Sequence, residues 1–139
     1  MTGDGTSGDV VVRRLRQAIN DHDLDAVVAC FAPRYRNETP AHPARGFTGR
    51  DQVRRNWSQI LAAVPDLTAE LVACRAGEGE VWAEWDWSGT RPDRTPLRMR
   101  GVTILGVEDD AVSWARFYME PVDDDGVGVD GAVRDVVTP

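Results

Sequence analysis

The stretch Glu80–Gly89, EVWAEWDWSG, sets three tryptophans and two carboxylates within six positions. In a β-strand successive side chains point to opposite faces, so Val81, Ala83, Trp85 and Trp87 share one side and Trp82, Glu84, Asp86 and Ser88 the other. One face is apolar and the other acidic. The alternation continues on both sides of this segment, predicting strands at about 67–75, 80–90, 96–107 and 111–121, joined at the turn sequences GEG, RPDR and EDD. Four strands in a row with short connections read as an antiparallel meander. Trp85 and Trp87 are expected on its inner side, with Glu84 and Asp86 outward toward solvent or a second subunit, whose pairing would screen them against outward arginines such as Arg98 and Arg100.

Ahead of the meander the period is helical. DVVVRRLRQAIN places Val11, Val12, Leu15 and Ile19 on one helix face, with the start expected near Asp9. DHDLDAVVACFA predicts a second helix, capped by Asp21 or Asp23, carrying Leu24, Val27, Val28 and Phe31 and ended by Pro33. RYRNET reads as a short strand and PAHPARGFTG as a loop. GRDQVRRNWSQILAAVPD is a third helix, with Val53, Trp57, Ile60, Leu61 and Val64 as its apolar stripe. Three helices, an early strand and four long strands predict an α+β fold with helices packed on one face of a curved sheet.

The chain of 139 residues has the length of one domain. Its 16 basic residues, all arginine, are outnumbered by 23 acidic ones. That balance argues against a nucleic-acid or anionic-membrane partner, and the lack of lysine excludes a Schiff-base mechanism. Cys30 and Cys74 lie in apolar settings and read as buried small hydrophobes. No metal site is expected, because no two ligand-type residues show the spacing with supporting partners. No apolar run approaches membrane-spanning length and the N-terminus is polar, so the expected compartment is the cytoplasm.

The segments AINDHDLDAVVACFAPRYRNETP, GRDQVRRNWSQIL, EWDWSGT and RMRGVTILGVEDDAVSWARFYMEP together resemble the nuclear transport factor 2-like superfamily, and within it the SnoaL-like group. The resemblance covers roughly residues 10–122, leaving residues 1–9 as a flexible N-terminus and 123–139 as an acidic, glycine-containing tail that docks on a neighbour, covers a pocket mouth, or is poorly held. It implies a conical α+β fold in which a strongly curved, mostly antiparallel sheet and three N-terminal helices enclose an apolar pocket, commonly in a homodimer. The superfamily hosts many chemistries, so function has to be read from the site. The steroid isomerase pattern falls on Leu15, Thr39 and Gly101, where none of its chemistry survives. The limonene epoxide hydrolase pattern falls on Glu84, Asp86 and Phe117, keeping only Asp86. The polyketide cyclase pattern leaves Glu120 as the nearest acid, two residues from the matching place.

Continued alternation from Val112 would put Trp114, Arg116, Tyr118 and Glu120 on one face. Turned inward, Arg116, Tyr118 and Glu120 are the candidate catalytic residues, with Glu120 moving a proton; turned outward, Arg116 and Glu120 would be a surface pair. Asn37, Trp57, Trp85, Trp87, Trp114 and His42 are candidate ligand contacts. Each also has a plainer reading, as core aromatics, a strand-end amide and a loop histidine. The expected function is binding of a small, largely apolar molecule, with cofactor-independent acid–base conversion; the alternative is a non-catalytic binding or assembly module.

Overall fold

The computed structural model describes residues 3–139, with side chains from Gly8 onward. Two helices come first, α1 (Gly3–Asn20) and α2 (Leu24–Ala29), followed by strand β1 (Phe31–Glu38). A 3-10 turn at Pro43–Arg45 leads to the two-residue strand β2 (Phe47–Thr48) and helix α3 (Arg50–Ala63). The meander is β3 (Thr68–Gly77), β4 (Glu80–Thr90), β5 (Pro96–Glu108) and β6 (Ala111–Pro121), after which comes helix α4 (Val129–Val137). Among the described residues, four α-helices and one six-stranded sheet make an α+β fold. The sheet is curled and unclosed, in the order β2-β1-β6-β5-β4-β3. It is mixed, because β1 runs parallel to β6 while the other pairs are antiparallel.

Local chemistry explains the departures from the sequence expectation. The first helix starts at Gly3, ahead of Asp9. The second is shorter: Asp23 caps it by accepting from the Ala26 amide, and it stops at Ala29. Phe31 and Pro33 therefore belong to β1. Pro33 falls in the irregular part of the β1–β6 ladder between Phe31 and Arg36, where its missing N–H removes no ladder bond. The tail is helical over Val129–Val137, yet none of its residues is buried.

The turn between the first two helices fastens them to the sheet edge. The Asn20 amide donates to the Ala69 carbonyl at 3.0 Å and accepts from the Ala69 N–H at 2.7 Å. His22, at a φ of 55°, bonds the Leu67 carbonyl at 2.9 Å. Edge-strand groups that would otherwise face water are thereby paired.

The core lies between the helices and the concave side of the sheet. Val11, Val12, Leu15 and Ile19 of α1 meet Ala69, Val81, Ala83, Trp85, Leu105 and Ala115 in one buried cluster. The Trp85 indole N–H, 1% exposed, donates to the Thr103 hydroxyl at 2.9 Å, so a polar atom enters the core with its partner. Gly101 stands opposite Trp85 and Met119 with a φ of 152°; a Cβ there would lie 2.1 Å from the Tyr118 carbonyl oxygen. Only glycine fits where β5 crosses β6 this closely.

Candidate functional site

The inner face of the sheet is set strand by strand. On β4, Val81, Ala83 and Trp85 are buried and Trp82 is half exposed, as the alternation predicts. Outward, Asp86 takes Arg98 at 3.2 Å and Arg100 at 3.8 Å, and Glu84 takes Arg100 at 3.3 Å. The hydrogen bond from Arg98 holds the Asp86 carboxyl below the usual carboxylate range. These ion pairs form within one chain, along the outer face of the β4–β5 ladder.

On β6 the structure corrects the expected phase. The register shifts between Gly106 and Val107, with Gly106 opposite Trp114 and Val107 opposite Val112, so one extra residue is inserted. Such a bulge turns every later side chain to the other face. Val112 points in, and after the bulge Ala115, Phe117 and Met119 do so. Trp114, Arg116, Tyr118 and Glu120 point out. The Trp114 ring occupies the space a side chain on Gly106 would need, and Arg116 stacks 4.7 Å from its centroid. Tyr118 is 44% exposed. Glu120 is exposed and sits 3.1 Å from His42 Nε2. The expected inward group of Arg116, Tyr118 and Glu120 is therefore an outer-surface group, and Trp114 is not a cavity residue.

Beneath the curl, between α3 and the sheet, lies a partly open cavity of about 260 Å³. Val53, Asn56, Trp57 and Ile60 of α3 form one wall, one helix face at i, i+3, i+4 and i+7. Opposite stand Trp87 of β4, Met99 of β5, and Phe117 and Met119 of β6. Tyr35 and Asn37 of β1 also line it, with Thr39, Arg45 and Phe47 from the segment that follows. Aromatic contacts tie the walls together: Trp57 to Trp87 at 5.4 Å, Trp87 to Trp85 at 6.1 Å, and Tyr35 to Phe31 at 4.7 Å and Phe47 at 5.9 Å.

Of the residues expected from sequence, Asn37, Trp57 and Trp87 line this cavity. Trp85 lies in the core beneath Trp87, and His42 bonds Glu120 outside the lining. Tyr35, Arg45, Asn56, Phe117 and Met119 line it as well, beyond the residues the sequence pattern points to. Tyr35 was legible as the same-face neighbour of Asn37, and Asn56 as part of the Val53–Trp57–Ile60 face. Arg45 lies in a loop with no period to reveal it.

The polar chemistry is specific. Burial pushes the Tyr35 hydroxyl pKa up from a value at which it is already protonated at neutral pH, and the hydroxyl gives its hydrogen bond to Asn37 Oδ1 at 2.8 Å. The Asn37 amide nitrogen has no partner among the described residues. Gln52 donates to Asn56 Oδ1 at 2.7 Å, which likewise leaves the Asn56 nitrogen unpaired. The buried Trp87 indole N–H has no acceptor among the described residues. No carboxylate or histidine is among the lining residues.

The SnoaL-like domain family matches residues 12–116, about three quarters of the chain. The chain belongs to the SnoaL-like family. No curated protein matches it. Among solved structures, the chain is similar to SalBIII, an epoxide hydrolase/cyclase-like enzyme in pyran ring formation in polyether salinomycin, at 20% identity and a TM-score of 0.74, over 88% of this chain and 95% of that one. An epoxide hydrolase of the limonene epoxide hydrolase type from Mycobacterium tuberculosis gives 15% identity and a TM-score of 0.72, over 84% of each chain. RV0760c from Mycobacterium tuberculosis, solved in complex with estradiol-17beta-hemisuccinate, gives 16% identity and a TM-score of 0.70, over 81% of this chain and 92% of that one. At these identities the likeness shows a shared fold.

Proposed function

We propose that this SnoaL-like domain binds one small, largely apolar molecule in the cavity between α3 and the sheet. The observation that carries the reading is the Asn37 amide nitrogen, without a partner among the described residues, in the lining of an aromatic and methionine-rich space. Apolar walls give affinity, and a few fixed polar groups set orientation. Cavities of about 150 Å³ hold benzene, so this one suits a two-ring skeleton. The steroid ester held by RV0760c is a larger example of an apolar molecule with a polar end on the same fold. Acid–base conversion by Glu120 is not part of the proposal, since that side chain lies on the outer face. No cofactor is invoked.

The test is a titration with 2-acetonaphthone, a two-ring ketone, read by tryptophan fluorescence and by melting temperature. Trp57 and Trp87 both line the cavity, so occupancy should change emission saturably and raise the melting temperature. Ile60→Trp, which fills the space, should abolish both responses. A saturable response that persists in Ile60→Trp would place the binding elsewhere. No response to ketones, carboxylates or polycyclic aromatics would end the reading and favour an assembly role.

A second reading, conversion of the bound molecule, is supported by relatives named for epoxide hydrolysis and ring formation. The groups then available are the Asn37 amide as donor to a reacting oxygen and the protonated Tyr35 behind it. Turnover of a discovered substrate that falls with Asn37→Ala while binding holds would support it. A homodimer through the outer sheet face is also proposed, because Val72, Trp82 and Tyr118 are exposed large side chains there. A monomer by light scattering would count against it.

A further inference from the structure

The hydrogen-bonding sense of the cavity is set before any ligand arrives. Both asparagine oxygens already accept a bond from within the chain, from Tyr35 in one case and Gln52 in the other. Each of those bonds fixes the amide so that its NH2 group is the unused end. Trp87 adds a buried indole N–H without an acceptor among the described residues. The Thr39 hydroxyl can serve in either sense. Every other unpartnered polar side-chain atom of the lining is a donor.

Arg45 gives this donor-rich space a charge. Arg45, an exposed residue, is among those that line the cavity, and its side chain makes no ion pair or hydrogen bond among the described residues. The chain has 23 acidic residues against 16 arginines, so an unpaired arginine here is not due to a shortage of carboxylates. Glu38, beside Thr39 in the chain, is 3.7 Å from Arg36, and Glu120, beside Met119, is engaged by His42. Neither enters the lining. A cationic ligand would meet one guanidinium, several N–H donors and no carboxylate.

Resting on the binding reading above, we infer that the ligand of this cavity is a small apolar carboxylic acid, held as its carboxylate by Arg45 with the ring system against Trp57 and Trp87. The guanidinium presents paired N–H donors that match a carboxylate's two oxygens. The amides of Asn37 and Asn56 serve further oxygens on the skeleton.

The test compares three ligands on one skeleton by calorimetry at pH 7.5: 2-naphthoate, 2-acetonaphthone and 2-naphthylmethylammonium. The carboxylate should bind about tenfold or more tighter than the ketone, the gain of one charge-assisted hydrogen bond, and the ammonium should bind weakest. Arg45→Gln, at an exposed position where folding is not at risk, should bring the naphthoate down to the ketone's affinity and leave the ketone within about twofold. Equal affinities, tightest binding by the ammonium, or a carboxylate preference that survives Arg45→Gln would overturn the inference while leaving the cavity reading standing. Failure of all three ligands to bind would overturn both.

Discussion

Strands β4 and β6 are eleven residues each, both antiparallel partners of β5, and both rich in aromatic residues. β4 pairs with β5 without interruption, so its alternation reads directly as in and out. β6 carries one inserted residue near Ser113, and from there the alternation inverts. The same rule of strand geometry thus places Trp85 and Trp87 on the inner side and removes Glu120 from it. The difference teaches that a single bulge outweighs a whole strand of pattern, and that the polar chemistry of this cavity comes from β1, α3, β4 and the segment after β1, with none from β6.

The largest effect that could break the comparison belongs to Trp85. Its side chain is fully buried and its N–H satisfies Thr103, so Trp85→Ala should cost about 3–5 kcal/mol in urea denaturation. A cost below about 1 kcal/mol would mean that β4 does not face the core. Next comes the bulge partner. A Cβ on Gly106 would lie 1.9 Å from Trp114 Nε1, so Gly106→Val should destabilise by about 1–3 kcal/mol. In a Trp114→Ala background most of that cost should vanish, a coupling that a double-mutant cycle reads directly.

The outer ion pairs respond to pH. The folded-state pKa of Asp86 is depressed by Arg98, so its stabilisation is fully present above the unfolded value of about 3.9 and is lost as pH falls through the folded one. Asp86→Asn should therefore be less stable than the native chain at neutral pH, with the gap closing in acid melts below pH 4. A gap independent of pH would contradict the pairing. The smallest effect is at Glu120: as an exposed pair with His42, Glu120→Gln should change stability by less than about 0.5 kcal/mol and leave ligand affinity unchanged.

Much of the fold was legible because periods of two and 3.6 change over cleanly at Pro65. All four meander strands and the outward direction of Glu84 and Asp86 could be read from spacing, whereas their arginine partners come from the neighbouring strand of the same chain and not from a second subunit. The parallel pairing of β1 with β6 could not be read so, since it joins segments far apart in sequence by backbone bonds alone. The phase of β6 was hidden for a related reason: the bulge is a feature of the ladder between β5 and β6, at the place where the Trp114 ring sits over Gly106. Trp57 and Trp87 could be placed by face and Asn37 by its nearness to the isomerase base position, whereas Arg45 lies in a short 3-10 turn whose course no pattern encodes.

The chain has three methionines, and two of them, Met99 and Met119, line the cavity from β5 and β6. Methyl-labelled methionine NMR during a titration with 2-acetonaphthone therefore tests the inner face of β6 and the binding reading together. Ring currents from the bound naphthalene should shift the Met99 and Met119 methyl signals saturably, along one isotherm. Saturable binding that leaves both signals unmoved would contradict the assignment of the cavity and of the strand face that builds it.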